Sequence, residues 1–68
     1  MSMEFGKRLK QLRIEKGLTQ KQLAEKLNVL NTAISNWETS ISEPSLDMVK
    51  EIVAFFETTS DYLLGIDN

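Results

Sequence analysis

Apolar residues recur along this chain at three- and four-residue intervals, and nowhere do they alternate as a half-buried strand requires. The pattern predicts five short helices and an all-α fold class. The first spans about Met3 to Lys16, with Ser2 as its N-cap and Gly17 ending it in the left-handed conformation. Phe5, Leu9 and Leu12 form its inner stripe, while Ile14 falls on the far side. The second runs from Thr19 to about Leu27. Thr19 and Gln22 have capping-box spacing, and Leu23, Ala24 and Leu27 face inward. The third covers about Asn31 to Thr39, with Ile34 and Trp37 inward. The fourth starts at Ser45 after Pro44 and is predicted to bury Leu46, Val49, Ile52, Val53 and Phe56. A fifth, about Ser60 to Leu64, is capped by Thr59 and closed by Gly65. No repeat or low-complexity segment interrupts them, so residues 1–68 read as one compact five-helix bundle.

Composition narrows the chemistry. At 68 residues, 41% of them apolar, the chain has material for one small core. A domain of this size buries only about 60% of the surface its unfolded form exposes. Cysteine and histidine are both absent. That excludes disulfides, zinc–thiolate sites and the commonest general base, so neither a metal nor a cofactor is expected and an enzyme is not indicated. No apolar run approaches the roughly 20 residues of a membrane span. The expectation is a soluble, cytoplasmic protein without a membrane partner.

Charge is divided along the chain. Residues 1–26 carry seven bases (Lys7, Arg8, Lys10, Arg13, Lys16, Lys21, Lys26) against three acids, a balance of +4. Residues 27–68 carry one base against seven acids, a balance of −6. A basic face can therefore meet a polyanion although the net charge is −2. Taken alone, the same lysines also describe ordinary solvated helix positions.

Residues 20–39, QKQLAEKLNVLNTAISNWET, read as two helices joined by a tight turn. Ala24 is small where steeply crossing helices approach closely, and Asn28 tolerates the positive φ that such a turn demands. The outward face of the third helix is Asn31, Thr32, Ser35 and Asn36, with no long charged side chain among them. Four short polar residues lower helix propensity and gain little from water. They suit a DNA major groove, where asparagine pairs with adenine and a threonine methyl meets the thymine methyl.

With these residues in view, the run LRIEKGLTQKQLAEKLNV…AISNWE, followed by EPSL and DYLLG, resembles the phage-repressor type of helix-turn-helix domain. This is the XRE-like family, which includes the lambdoid repressors and Cro, and the likeness covers about Phe5 to Gly65. It implies a helix-turn-helix unit at about 20–39 with a recognition helix at about 31–39. It further implies base contacts from Asn31, Thr32 and Asn36, and DNA-backbone contacts from Thr19, Gln20, Lys21 and Ser35. Arg13 and Glu38 match a structural ion pair between the first and third helices. Relatives bind as two-fold dimers on near-palindromic half-sites about 34 Å apart.

This chain departs from the pattern in places. Leu30 stands where relatives place a Ser or Thr cap, which leaves Asn31 as a substitute cap. After Glu38 the stretch Thr39-Ser40-Ile41-Ser42-Glu43 has no base, so phosphate contacts there fall to hydroxyls and main-chain amides. Weak monomeric binding, lost as salt rises, is expected. Ile14, Ile41, Met48 and Phe55 have no evident inner place, and Phe55 with the last helix (Tyr62, Leu63, Leu64, Ile66) is the expected homodimer contact. The resemblance thus implies sequence-specific binding of double-stranded DNA by a bacterial or phage-encoded transcriptional regulator, a repressor acting by occlusion. A protein-interaction module of the same fold, antitoxin-like or anti-repressor, is the alternative. Relatives continue past Gly65 into effector or oligomerisation domains, so the likeness fits either a small regulator or the N-terminal part of a larger one.

Overall fold

The computed structural model describes residues 3–66, and the predicted cap Ser2 lies outside them. Five helices follow one another: α1 (Met3–Glu15), α2 (Gln20–Leu27), α3 (Asn31–Glu38), α4 (Leu46–Phe56) and α5 (Ser60–Leu64). Each supplies one side chain with no solvent exposure, namely Leu9, Leu23, Ile34, Ile52 and Leu63. Phe5, Ala24, Leu27, Trp37 and Val49 complete the buried core. α2 packs mainly on α3, α1 on α3 and α5, and α4 on α5.

Local chemistry explains where the elements start and stop. The Thr19 hydroxyl accepts from the Gln22 amide at 3.0 Å, and the Gln22 carboxamide accepts from the Thr19 amide at 2.8 Å. Ser45 and Thr59 cap α4 and α5 in the same way, accepting from Met48 and Tyr62 at 3.1 Å. Gly17 (φ 72°) ends the first helical stretch and Asn28 (φ 59°) makes the turn between α2 and α3. Gly65 (φ 74°) closes α5.

Three expectations about apolar positions are corrected. Leu46 belongs to the inner stripe by spacing, yet it is 71% exposed. Its stripe faces α5, about 7 Å of helix against about 16 Å for α4, and that is too short to cover the first turn. Met48 and Phe55, expected to lie outside, are half-buried and packed against the core. The Phe55 ring meets Phe56 edge to face at 4.9 Å, and the Lys16 ammonium lies 5.2 Å from its centroid. Ile14 and Ile41 are exposed, as their positions in the pattern imply.

α1 approaches α3 closely at Gly6. A Cβ there would stand 2.5 Å from the Glu38 carbonyl oxygen and 2.8 Å from that of Trp37. α1 and α3 therefore meet backbone to backbone. At Gly17 the same Cβ would meet nothing within 4 Å, so only the positive φ favours glycine. Gly6→Ala is expected to destabilise the domain by about 1–3 kcal/mol through overpacking. Gly17→Ala should cost only about 1 kcal/mol, and urea unfolding of the two variants checks the order.

Candidate nucleic-acid interface

α2 and α3 define a helix-turn-helix unit, and its geometry is fixed at the C-terminal end of α3. There the Glu38 carboxylate accepts from Arg13 Nε at 2.7 Å and Arg13 Nη2 at 3.2 Å, a bidentate pair between α1 and α3. Arg13 Nη1 donates to the Leu18 carbonyl at 2.8 Å and so ties down the loop before α2. Gln20 Nε2 donates to Glu38 Oε1 at 3.0 Å. The two charged side chains are 11% and 2% exposed. One carboxylate thus joins three helices.

The outward face of α3 carries Asn31 and Thr32, both exposed, and Ser35 and Asn36, both half-buried. Among the described residues none of these four side chains makes a hydrogen bond to the protein, so their donors and acceptors point to solvent. α3 begins without any side-chain cap, and Leu30 occupies the cap position. The expected substitution of Asn31 for the missing cap is therefore corrected. Asn31 is the first helical residue, where a side chain cannot reach back to its own helix as an N-cap does.

The start of α2 differs in what it has available. The Thr19 hydroxyl oxygen already accepts from Gln22, which leaves its proton to donate. Gln20 is half-buried, with one amide proton held by Glu38. The main-chain amides of Gln20 and Lys21 lie in the first turn, where the helix supplies no acceptor. Lys21 is exposed beside them.

The loop after α3 overturns an expectation. Its amides were expected to be open to phosphate, but those of Thr39, Ser40, Ile41 and Ser42 all donate inward, to Ser35, Trp37, Asn36 and Asn36. Ser40 takes a left-handed conformation (φ 64°) to allow this. The Thr39 hydroxyl donates to the Ser35 carbonyl at 2.8 Å. Ser40 and Ser42 are exposed, and among the described residues their hydroxyls make no hydrogen bond to the protein.

Several of the basic side chains are also held within the fold. Arg13 faces Glu38, and Lys16 faces the Phe55 ring. The Arg8 guanidinium lies 4.5 Å from the Tyr62 ring centroid, donates to the Tyr62 carbonyl at 2.6 Å and pairs with Glu4 at 3.3 Å. Lys7, Lys10, Lys21 and Lys26 stand exposed. The Gln20–Glu38 and Arg8–Tyr62 contacts and the Gly6 approach were not foreseen from the sequence. Each joins residues at least 18 positions apart, beyond the reach of local spacing.

A helix-turn-helix is also what the comparisons with known proteins return. A family model described as Helix-turn-helix matches residues 9–63, and the chain belongs to that family, in its XRE-type branch. It is 52% identical over 63 residues to an HTH-type transcriptional activator, BcrR, of Enterococcus faecalis, with 93% of this chain and 31% of the relative covered. It is 43% identical over 65 residues to the HTH-type transcriptional regulator ImmR of Bacillus subtilis, with 96% and 51% covered. An uncharacterised HTH-type regulator of the same organism, YobD, is 33% identical over 62 residues, with 91% and 55% covered. The chain therefore spans between about a third and about half of the relatives it matches.

Removing one member of the buried pair isolates its role. Arg13→Ala leaves the Glu38 carboxylate without its countercharge and is expected to cost about 3–5 kcal/mol. The double replacement Arg13→Met with Glu38→Leu should recover at least half of that. Urea unfolding of the single and double variants measures both, and a single-variant loss below about 1 kcal/mol would rule the clamp out.

Proposed function

We propose that this chain binds double-stranded DNA in a sequence-specific manner as a transcriptional regulator, with α3 in the major groove. The observation that carries the reading is the face of Asn31, Thr32, Ser35 and Asn36. It is polar, uncharged and without internal hydrogen bonds, on a helix held rigidly from its other end. Asn31, Thr32 and Asn36 read base edges and Ser35 touches the sugar-phosphate backbone. Thr19 donates its hydroxyl proton to phosphate, Gln20 its remaining amide proton, and Lys21 its charge.

Regulation by occlusion of a promoter needs only occupancy of the site by this domain, which favours repression. The acidic second half and the inward-bonded loop at 39–42 favour one competing reading, a protein-interaction module of the same fold. Failure of any duplex or heparin to occupy the α3 face would select it.

Homodimerisation on a near-palindromic site completes the proposal. Phe55 and Leu63, expected in the contact, are packed inward, whereas Ile66 is exposed and Leu64, half-buried, lines a groove with Leu46. A groove of about 300 Å³ between α4 and α5, lined by Leu46, Val49, Lys50, Val53, Ser60 and Leu64, offers the apolar face instead. Leu46→Glu is expected to leave the fold intact and to abolish any concentration-dependent dimer in sedimentation equilibrium.

Selection from a random duplex library at low salt, followed by sequencing, tests the main claim. Enrichment of a two-fold symmetric motif is expected. On that motif Asn36→Ala and Thr32→Ala should each lose about 1–3 kcal/mol of discrimination against other sequences. Lys21→Ala should weaken specific and random duplex alike. Equal effects from all three changes would refute this division of roles.

A further inference from the structure

Leu30 breaks two local rules at once. It holds the N-cap of α3 in extended conformation (φ −75°, ψ 149°) but provides no side-chain acceptor for the helix amides. The other three N-caps among the described residues are Thr19, Ser45 and Thr59, each with a hydroxyl bonded to an amide of its helix. Leu30 is also 76% exposed and packs against no part of the core. A serine would cap the helix and suit water better, so neither choice helps the fold. Where a chain breaks local rules without a structural gain, a functional demand is the usual source.

The position says what that demand is. Leu30 directly precedes Asn31 and Thr32, the two exposed residues of the proposed reading face, and its carbonyl accepts from the Ala33 amide at 3.0 Å, which fixes it to the helix start. An aliphatic side chain entering the major groove there finds one strongly apolar group on the base edges, the 5-methyl of thymine. Resting on the DNA-binding reading above, we infer that Leu30 is a specificity-determining residue that selects thymine in each half-site by covering its methyl group. The uncapped helix start follows from this selection. A hydroxyl folded back onto the helix amides cannot also present an apolar surface to the groove.

Thymine-to-deoxyuridine scanning of the duplex enriched from the library tests the assignment, because it removes the methyl and leaves every hydrogen-bonding group in place. Binding of the wild-type chain and of Leu30→Ser is followed by fluorescence anisotropy, with thermal unfolding of both. Leu30→Ser should melt at a higher temperature, since it gains a cap, so a binding change cannot come from misfolding. For the wild type, deoxyuridine at one position per half-site should weaken binding about fourfold, the loss of one buried methyl contact. In Leu30→Ser that penalty should vanish, while any penalty owed to the Thr32 methyl remains. Identical deoxyuridine profiles for the two proteins, or a motif in which no thymine methyl matters, would overturn the Leu30 role and leave the DNA reading standing. Absence of duplex binding by both proteins would overturn the DNA reading and this role with it.

Discussion

The position of the third helix depends on one buried carboxylate. Glu38 takes two bonds from Arg13 at the end of α1 and one from Gln20 at the start of α2, and Arg13 reaches on to the Leu18 carbonyl. The backbone of the same turn lies against Gly6, where no larger residue fits without displacement. Eight residues of helix, about 12 Å long, do not hold themselves in water. α3 is held instead by Ile34 and Trp37 in the core and by this joint at its last residue. Its opposite end is left bare of caps and of charges, and that is the end from which a groove would be read.

The same joint changes what the charge distribution means. A balance of +4 over residues 1–26 suggests a strongly cationic half, yet Arg13 faces Glu38, Arg8 clasps Tyr62 and Lys16 lies over Phe55. Lys7, Lys10, Lys21 and Lys26 remain exposed for phosphates, while the loop after α3 directs its amides inward. The salt dependence of binding counts the phosphates contacted. A domain with few such contacts starts from low affinity and relies on base-edge contacts for its preference. Doubling the number of reading helices is then the direct way to gain affinity, because a second linked site adds its contacts without a second full loss of freedom.

Much of this was legible in the sequence because it is local. The five helices, the Thr19–Gln22 box, the Thr59 cap and the left-handed Asn28 each follow from residues within four positions of one another. The inner stripes account for nine of the ten buried core residues, since helical periodicity selects one face whatever lies opposite, and the tenth, Leu63, was expected in the homodimer contact. Leu46 and Phe55 went the other way because periodicity cannot tell how long the neighbouring helix is. The need for glycine at position 6 arises from the tertiary approach of α3, which helical spacing does not carry. The loop amides could not be placed either, since their direction depends on Ser40 adopting a conformation that serine seldom takes. The roles of Asn31, Thr32 and Asn36 rest on resemblance and on chemistry, and the fold brings them to one open face without naming what they touch.

Magnitudes show why the clamp and the open face belong together. Replacing long charged residues by Asn, Thr, Ser and Asn lowers intrinsic helicity by a few tenths of a kcal/mol each, about 1 kcal/mol in all. A missing N-cap costs about 1 kcal/mol more. α3 is therefore roughly 2 kcal/mol poorer as a helix than its length allows. Uncoupling Arg13 from a carboxylate 2% exposed carries a penalty larger than that deficit, although this measures the orphaned charge and not the net worth of the pair. What the pair secures is one orientation for a helix with little tendency to form alone. With orientation set by Glu38 at one end, the residues at the other are released from maintaining the helix, and an exposed leucine and two short polar side chains can stand where a cap and a charged pair would otherwise be required.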